Sequence, residues 1–167
     1  MFNQLTKKDI EAMEAEIEER KVVIRPKLLE AVKEARAHGD LSENFEYYAA
    51  KKEKNKNESR IRFLERMIKT AEIIEDESKA DEIGVNTRVV VEFEEDGEVE
   101  EYKIVTTMRG NSLEGLVSVE SPIGKALLGH KAGERVYVEV NAGFGYYLLV
   151  KSIEKNPDEA DEKLRDF

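Results

Sequence analysis

The residues HGDLSEN, 38–44, decide how the chain is read, because they separate two long charged segments whose apolar residues recur at helical spacing. Upstream, Ile10, Met13, Ile17, Ile24, Leu28 and Val32 recur at steps of three and four; downstream, Phe45, Tyr47, Ala50, Ile61, Leu64, Ile68 and Ala71 do the same, to about Ile74. Gly39 offers the positive φ that ends a helix, and His38 suits the negative end of the helix dipole. If the chain reverses there, Ile10 comes opposite Ile68, Ile17 opposite Ile61 and Leu28 opposite Ala50. The spacing predicts an antiparallel coiled-coil hairpin over residues 1–75, with arms of roughly 45 to 50 Å. Thr6 reads as the first N-cap, with Asp9 three residues on, and Pro26 as a kink within the first arm.

Beyond an acidic linker, residues 76–84, the hydrophobic period changes to two. TRVVVEFEEDGEVEEYKIVTT reads as two strands joined at Asp96 and Gly97, and LEGLVSVE as a third. SPIGKALLG reads as a short helix with Ser121 as N-cap, Pro122 at its first position and Gly129 at its end. RVYVEV and YYLLVKSIEK complete a small antiparallel sheet, with NAGFG as the hairpin turn, so residues 85–155 form a β-rich domain and the fold class is α+β. The polar tail, 156–167, reads as frayed.

Composition narrows the function. Of 167 residues 40% are hydrophobic, enough for a core, and 38% are charged, as expected of a long solvated helical surface. Residues 1–75 carry 16 basic and 16 acidic side chains, so the net charge of −10 sits wholly in the second half. Most of this surface repels backbone phosphates, and any nucleic-acid contact is local. The absence of cysteine excludes thiolate zinc sites, disulfides and a cysteine nucleophile. With no apolar N-terminal segment and no apolar run near the ~18 residues that span a bilayer, the expectation is a soluble, cytoplasmic protein with no membrane partner.

Asp40 and Glu43 stand three apart at the hairpin tip. As a capping box, Asp40 at the N-cap and Glu43 at the third helical position would stabilise the second helix by about 1 kcal/mol. As displayed carboxylates, they supply oxygen ligands for Mg²⁺, too few to hold it alone. Such a site is completed by another macromolecule's carboxylates and a nucleic-acid phosphate, as in two-metal phosphoryl chemistry.

Beside the tip the charge changes sign. Arg36 lies on the first arm, and Lys51, Lys52, Lys54, Lys56, Arg60 and Arg62 on the second; they read either as a solvated face or as a basic stripe for a single strand. Tyr47 and Tyr48 read either as stacking groups or, for Tyr47 opposite Ala31, as filling at the narrow end of the coil. His38 and His130 lie in different domains, so a zinc site is not indicated.

The tip motif G-D-L-S-E-N-x-E-Y, within IRPKLLEAVKEARAHGDLSENFEYYAAKKEK, and the stretch VSVESPIGKALLGHKAGERVYVEV resemble the Gre transcript-cleavage factors of bacteria over nearly the whole chain. The resemblance implies a coiled coil that enters the secondary channel of RNA polymerase, and a C-terminal domain of FKBP-like fold that docks at the channel rim. It implies that Asp40 and Glu43 help hold a catalytic Mg²⁺ of the polymerase, which then cleaves the 3′ end of backtracked nascent RNA. On this footing the protein is a monomeric stimulator of cleavage and not itself an enzyme. Tyr47 matches the tip tyrosine, Arg36, Lys51, Lys52 and Lys56 the basic patch, and Glu120, Ser121 and Pro122 the polymerase-binding stretch. Phe45 and the NAGFGYYLLV hairpin depart from the family pattern. The alternative function is a coiled-coil chaperone or a peptidyl-prolyl isomerase-like binding module, for which residues 85–155 offer no catalytic feature.

Overall fold

The structure, a computed structural model, describes residues 3–39, 43–155, 157 and 163–166. They form two compact units: Lys7–Ala71, and the residues from Glu72 onward joined by residues 3–6.

The first unit is the helical hairpin. After the short strand β1 (Gln4–Leu5), which belongs to the other unit, the first arm comprises α1 (Lys7–Glu19), a π-helical turn (Arg20–Ile24) and α2 (Arg25–Ala37). The π turn accommodates Pro26. Proline has no N–H for the carbonyl four residues back and its ring crowds that carbonyl. Here the preceding turn widens so that the Arg25 N–H reaches the Arg20 carbonyl, five residues back, while Ile24 keeps helical angles. The second arm, α3 (Phe45–Lys69), is 25 residues long, about 37 Å at the α-helical rise. It ends at Thr70, earlier than the apolar spacing suggests, because Glu72–Ile73 form strand β2.

Met13, Ile61 and Leu64 are buried in the hairpin as the spacing predicts, together with Ala35, which the spacing did not include, but a polar seam runs between them. The Arg60 Nε donates to Glu16 Oε2 at 2.8 Å, and the same carboxylate accepts from Arg20 Nε at 2.7 Å. Arg20 Nη1 donates to Asn57 Oδ1 at 2.9 Å, and Arg25 makes a two-pronged pair with Glu58 at 2.7 and 2.8 Å. Arg60, read in the sequence as part of a solvated or RNA-facing stripe, is only 8% exposed and so belongs to the interior.

The second unit is built on a five-stranded sheet in the order β5–β4–β3–β7–β6. Its strands are β3 (Arg88–Phe93), β4 (Val99–Val105), β5 (Leu116–Ser118), β6 (Arg135–Asn141) and β7 (Phe144–Glu154), with helix α4 (Pro122–Leu127) between β5 and β6. The Asp96-Gly97 and NAGFG turns fall where expected, with Gly97 and Gly143 at positive φ. Three of the four strand pairings are antiparallel; β5 runs parallel to β4, so the sheet is mixed at that edge. Val89, Val91, Ile104, Val136, Val138, Leu148 and Val150 form its core with Leu127 of α4. A separate parallel pair, β1 with β2, joins residues 4–5 to 72–73 and buries Leu5 completely.

Candidate functional site at the hairpin tip

The tip is assembled by one side chain the sequence reading passed over. Asn44, not Asp40, is the N-cap of α3: its Oδ1 accepts the Tyr47 N–H at 3.0 Å. Its Nδ2 donates to the Ala35 carbonyl at 2.6 Å, in the last turn of α2, an oxygen that also accepts the His38 N–H at 3.2 Å. One amide thus closes both helix ends. The capping-box reading of Asp40 and Glu43 is therefore corrected, since α3 begins two residues after Glu43. Glu43 lies outside the helix with its side chain exposed, whereas Asp40 falls outside the described residues. The signal for Asn44 was present: asparagine ranks among the best N-caps and directly precedes the aromatic first turn.

Around Tyr47 the structure brings three predicted residues together. The Arg36 guanidinium carbon lies 5.5 Å, and the Lys51 ammonium 6.0 Å, from the centre of the Tyr47 ring, within cation–π range. The hydrogen bond from Arg36, with the charges of Lys51 and Lys54, holds the Tyr47 phenol below its ordinary pKa. Tyr47 is half-buried, and its ring centre is 5.6 Å from that of Tyr48. Arg36, Lys51, Lys52 and Lys56 are all exposed. Phe45, placed on the apolar face by its spacing, is instead 83% exposed at the start of α3, one residue from Asn44. The described tip therefore presents a carboxylate, an exposed aromatic ring and a cluster of cations around a tyrosine. Among the described residues no three His, Asp or Glu side chains are grouped as a metal site. Glu43 supplies a hard oxygen donor suited to Mg²⁺, and an ion held here requires ligands from a partner.

Glu120, Ser121 and Pro122 form a corner of the second unit. The Ser121 Oγ accepts the Gly124 N–H at 3.1 Å and donates to the Ser118 carbonyl at 2.6 Å, capping α4 with Pro122 in its first turn. A side chain at Gly124 would run into the Ser118 carbonyl oxygen, which explains the glycine. Glu120 Oε2 accepts from the Thr107 hydroxyl at 2.7 Å, a partner that no sequence spacing signals.

A family model described as "Transcription elongation factor, N-terminal" matches residues 3–73, and one described as "Transcription elongation factor, GreA/GreB, C-term" matches residues 77–155. The "Transcription elongation factor GreA" of Caldanaerobacter subterraneus subsp. tengcongensis is 46% identical over 140 residues, covering 83% of this chain and 89% of that protein. That of Thermotoga maritima is 38% identical over 152 residues, covering 91% and 97%. Among solved structures, the GreA factor homolog 1 protein of Thermus thermophilus is 28% identical, covering 92% of this chain and 99% of that one, with a TM-score of 0.42.

Proposed function

The chain belongs to the GreA/GreB family of transcription elongation factors, and from that premise we propose that it binds RNA polymerase through the secondary channel and stimulates cleavage of the 3′ end of backtracked nascent RNA. In this reading the polymerase performs the reaction, and the factor, acting as a cytoplasmic monomer, lends it two carboxylates. Asp40 and Glu43 would hold a Mg²⁺ together with the polymerase's own ligands, and such an ion would supply Lewis-acid chemistry at the scissile phosphate. Arg36, Lys51, Lys52 and Lys56 steady the extruded RNA by charge, Tyr47 orients the first two of these cations, and Glu120, Ser121 and Pro122 contact the polymerase rim. Among the described residues no helix is long and apolar enough to cross a membrane.

The observation that carries the proposal is the position of Glu43. The helix end beside it is capped by Asn44, so the Glu43 carboxylate is not consumed as a cap and remains exposed next to a cationic and aromatic cluster. Its test is RNA cleavage by a stalled, backtracked polymerase with the wild-type chain, Asp40→Asn and Glu43→Gln. Both variants keep side-chain shape and lose charge, and each is expected to reduce cleavage at least tenfold while leaving polymerase binding intact. Wild-type cleavage with both would refute the assignment.

A further inference from the structure

Phe45, Tyr48, Lys52 and Lys56 recur along α3 at steps of three, four and four, so they share one face of the helix. The residues that α3 buries in the hairpin, Asn57, Arg60, Ile61 and Leu64, belong to a different face, and all four members of the stripe are exposed. Phe45 is 83% and Tyr48 49% exposed. The nearby carboxylates lie off the stripe. Glu46 stands 3.6 Å from His38 of the first arm, Glu58 is paired with Arg25, and Glu53 is turned about 100° around the helix from Lys52. In a chain of net charge −10, a helix face with two open rings, two cations and no carboxylate is a local exception. The structure also separates this stripe from the other tip cations. Arg36 and Lys51 sit over the Tyr47 ring, whereas among the described residues Lys52 and Lys56 have no ion-pair partner and Phe45 has no ring or cation against it. A ring left this open contributes little packing energy to the hairpin. Lysines are depleted where proteins bury one another, while rings interleaved with cations suit an unpaired strand, in which every base has a π-face and every link a phosphate.

We propose that this face of α3 is a binding site for a single strand of nucleic acid, with bases stacked on Phe45 and Tyr48 and the adjoining phosphates held by Lys52 and Lys56. The inference rests on the function proposed above only for the identity of the strand, which is then the extruded RNA, gripped by its bases as well as by charge. The binding itself is a property of the chain alone. Stacking accepts any base and favours those with the larger ring system, so the preference is for purines and is modest.

The experiment titrates the full chain, Phe45→Ala, Tyr48→Ala and the double variant Lys52→Gln with Lys56→Gln at low salt, following the amide and ring shifts of α3. The probes are a short oligoadenylate RNA and an abasic strand of the same length and charge. Each ring substitution should weaken oligoadenylate binding roughly five- to hundredfold and leave abasic-strand binding unchanged. The lysine variant should weaken binding of both strands and lower the slope of log affinity against log salt by about 1.4, the amount for two lost phosphate contacts. No saturable binding of oligoadenylate by the wild-type chain, or equal losses on both strands in the ring variants, would overturn the site. So would ring variants that bind oligoadenylate normally and RNA polymerase weakly, since the rings then face protein. Ring variants that lose oligoadenylate yet support normal transcript cleavage would overturn the identity of the strand. If Asp40→Asn and Glu43→Gln cleave as wild type does, the proposed function falls and that identity with it, while the titrations still decide the site.

Discussion

Replacing Asn44 tests how the tip is held. Asn44→Ala removes two bonds at once, the cap on the Tyr47 N–H and the bridge to the Ala35 carbonyl. Loss of the cap costs about 1 kcal/mol. Loss of a partly buried amide–carbonyl bond costs about another 1 kcal/mol. The two act on different helices and should combine to about 2 kcal/mol, or roughly thirtyfold in the equilibrium between ordered and opened tip. Asn44→Asp separates them, because its carboxylate still accepts the Tyr47 N–H but cannot donate to Ala35, so the bridge alone is lost. Native-state hydrogen exchange at the Tyr47 and Tyr48 amides provides the assay. The ordering expected for protection is wild type, then Asn44→Asp, then Asn44→Ala, the last up to about thirtyfold below wild type. Transcript cleavage should fall in the same order, since only the ordered tip presents Glu43 correctly. Protection within twofold of wild type in Asn44→Ala would refute the reasoning.

Other consequences follow from the same geometry. Phe45→Ala should leave thermal stability within about 0.5 kcal/mol, because the ring is already exposed. If the ring stacks on a base of the extruded RNA, cleavage should nevertheless fall by an amount equivalent to about 1 to 3 kcal/mol, measured as single-turnover cleavage by a backtracked polymerase. In the polar seam, Arg60→Met alone strands part of the Glu16 charge and should destabilise the hairpin by about 3 kcal/mol in urea unfolding, whereas Glu16→Leu with Arg60→Met should recover most of that. Burial pushes the Glu16 carboxyl up, but the hydrogen bonds and charges of Arg60 and Arg20 outweigh it and hold the pKa below its ordinary value. Its stabilising contribution is therefore complete above the usual carboxylate range and is lost as pH falls through the lowered folded value. Helicity followed by circular dichroism should decline below about pH 4, less steeply in Glu16→Gln.

The hairpin was legible because burial of Met13, Ile61 and Leu64 requires the helical period, and a period can be counted in a sequence. The turns at Gly97 and Gly143 and the cap at Ser121 were legible because few residues suit those backbone conformations or bonds. What stayed hidden has a common physical cause. Arg60, Asn57 and Glu16 have the same chemistry whether solvated or paired with each other, and only the opposite arm decides which. Two-residue strands such as Gln4–Leu5 and Glu72–Ile73 carry no period at all, and their pairing is settled by main-chain bonds between distant segments. The parallel edge pair escaped for a similar reason, since β5 contributes three residues and its direction depends on the connection through residues 106–115. The tail was read as frayed on its polarity, although Leu164 is half-buried and the Arg165 N–H bonds to the Met108 carbonyl.

The polar seam also bears on function through register. An antiparallel pair of helices held only by apolar contacts can slip by a turn at small cost, because one aliphatic residue substitutes for another. A slip of one turn here would set Arg60 against Ala12, which has no acceptor, or directly against Arg20, a second cation. Either arrangement leaves a nearly buried guanidinium without its carboxylate, at a cost of several kcal/mol. The pairing of Glu16 with Arg60 and of Arg20 with Asn57 therefore fixes which residues lie at the reversal, and Asn44 then fixes how they are held. For a protein whose proposed role is to deliver a carboxylate to a metal ion in another molecule, register is a functional quantity. One helical turn displaces the tip by about 5.4 Å, more than twice a metal–oxygen bond length. A double substitution that preserves hairpin stability while removing the seam should thus impair cleavage more than it impairs folding.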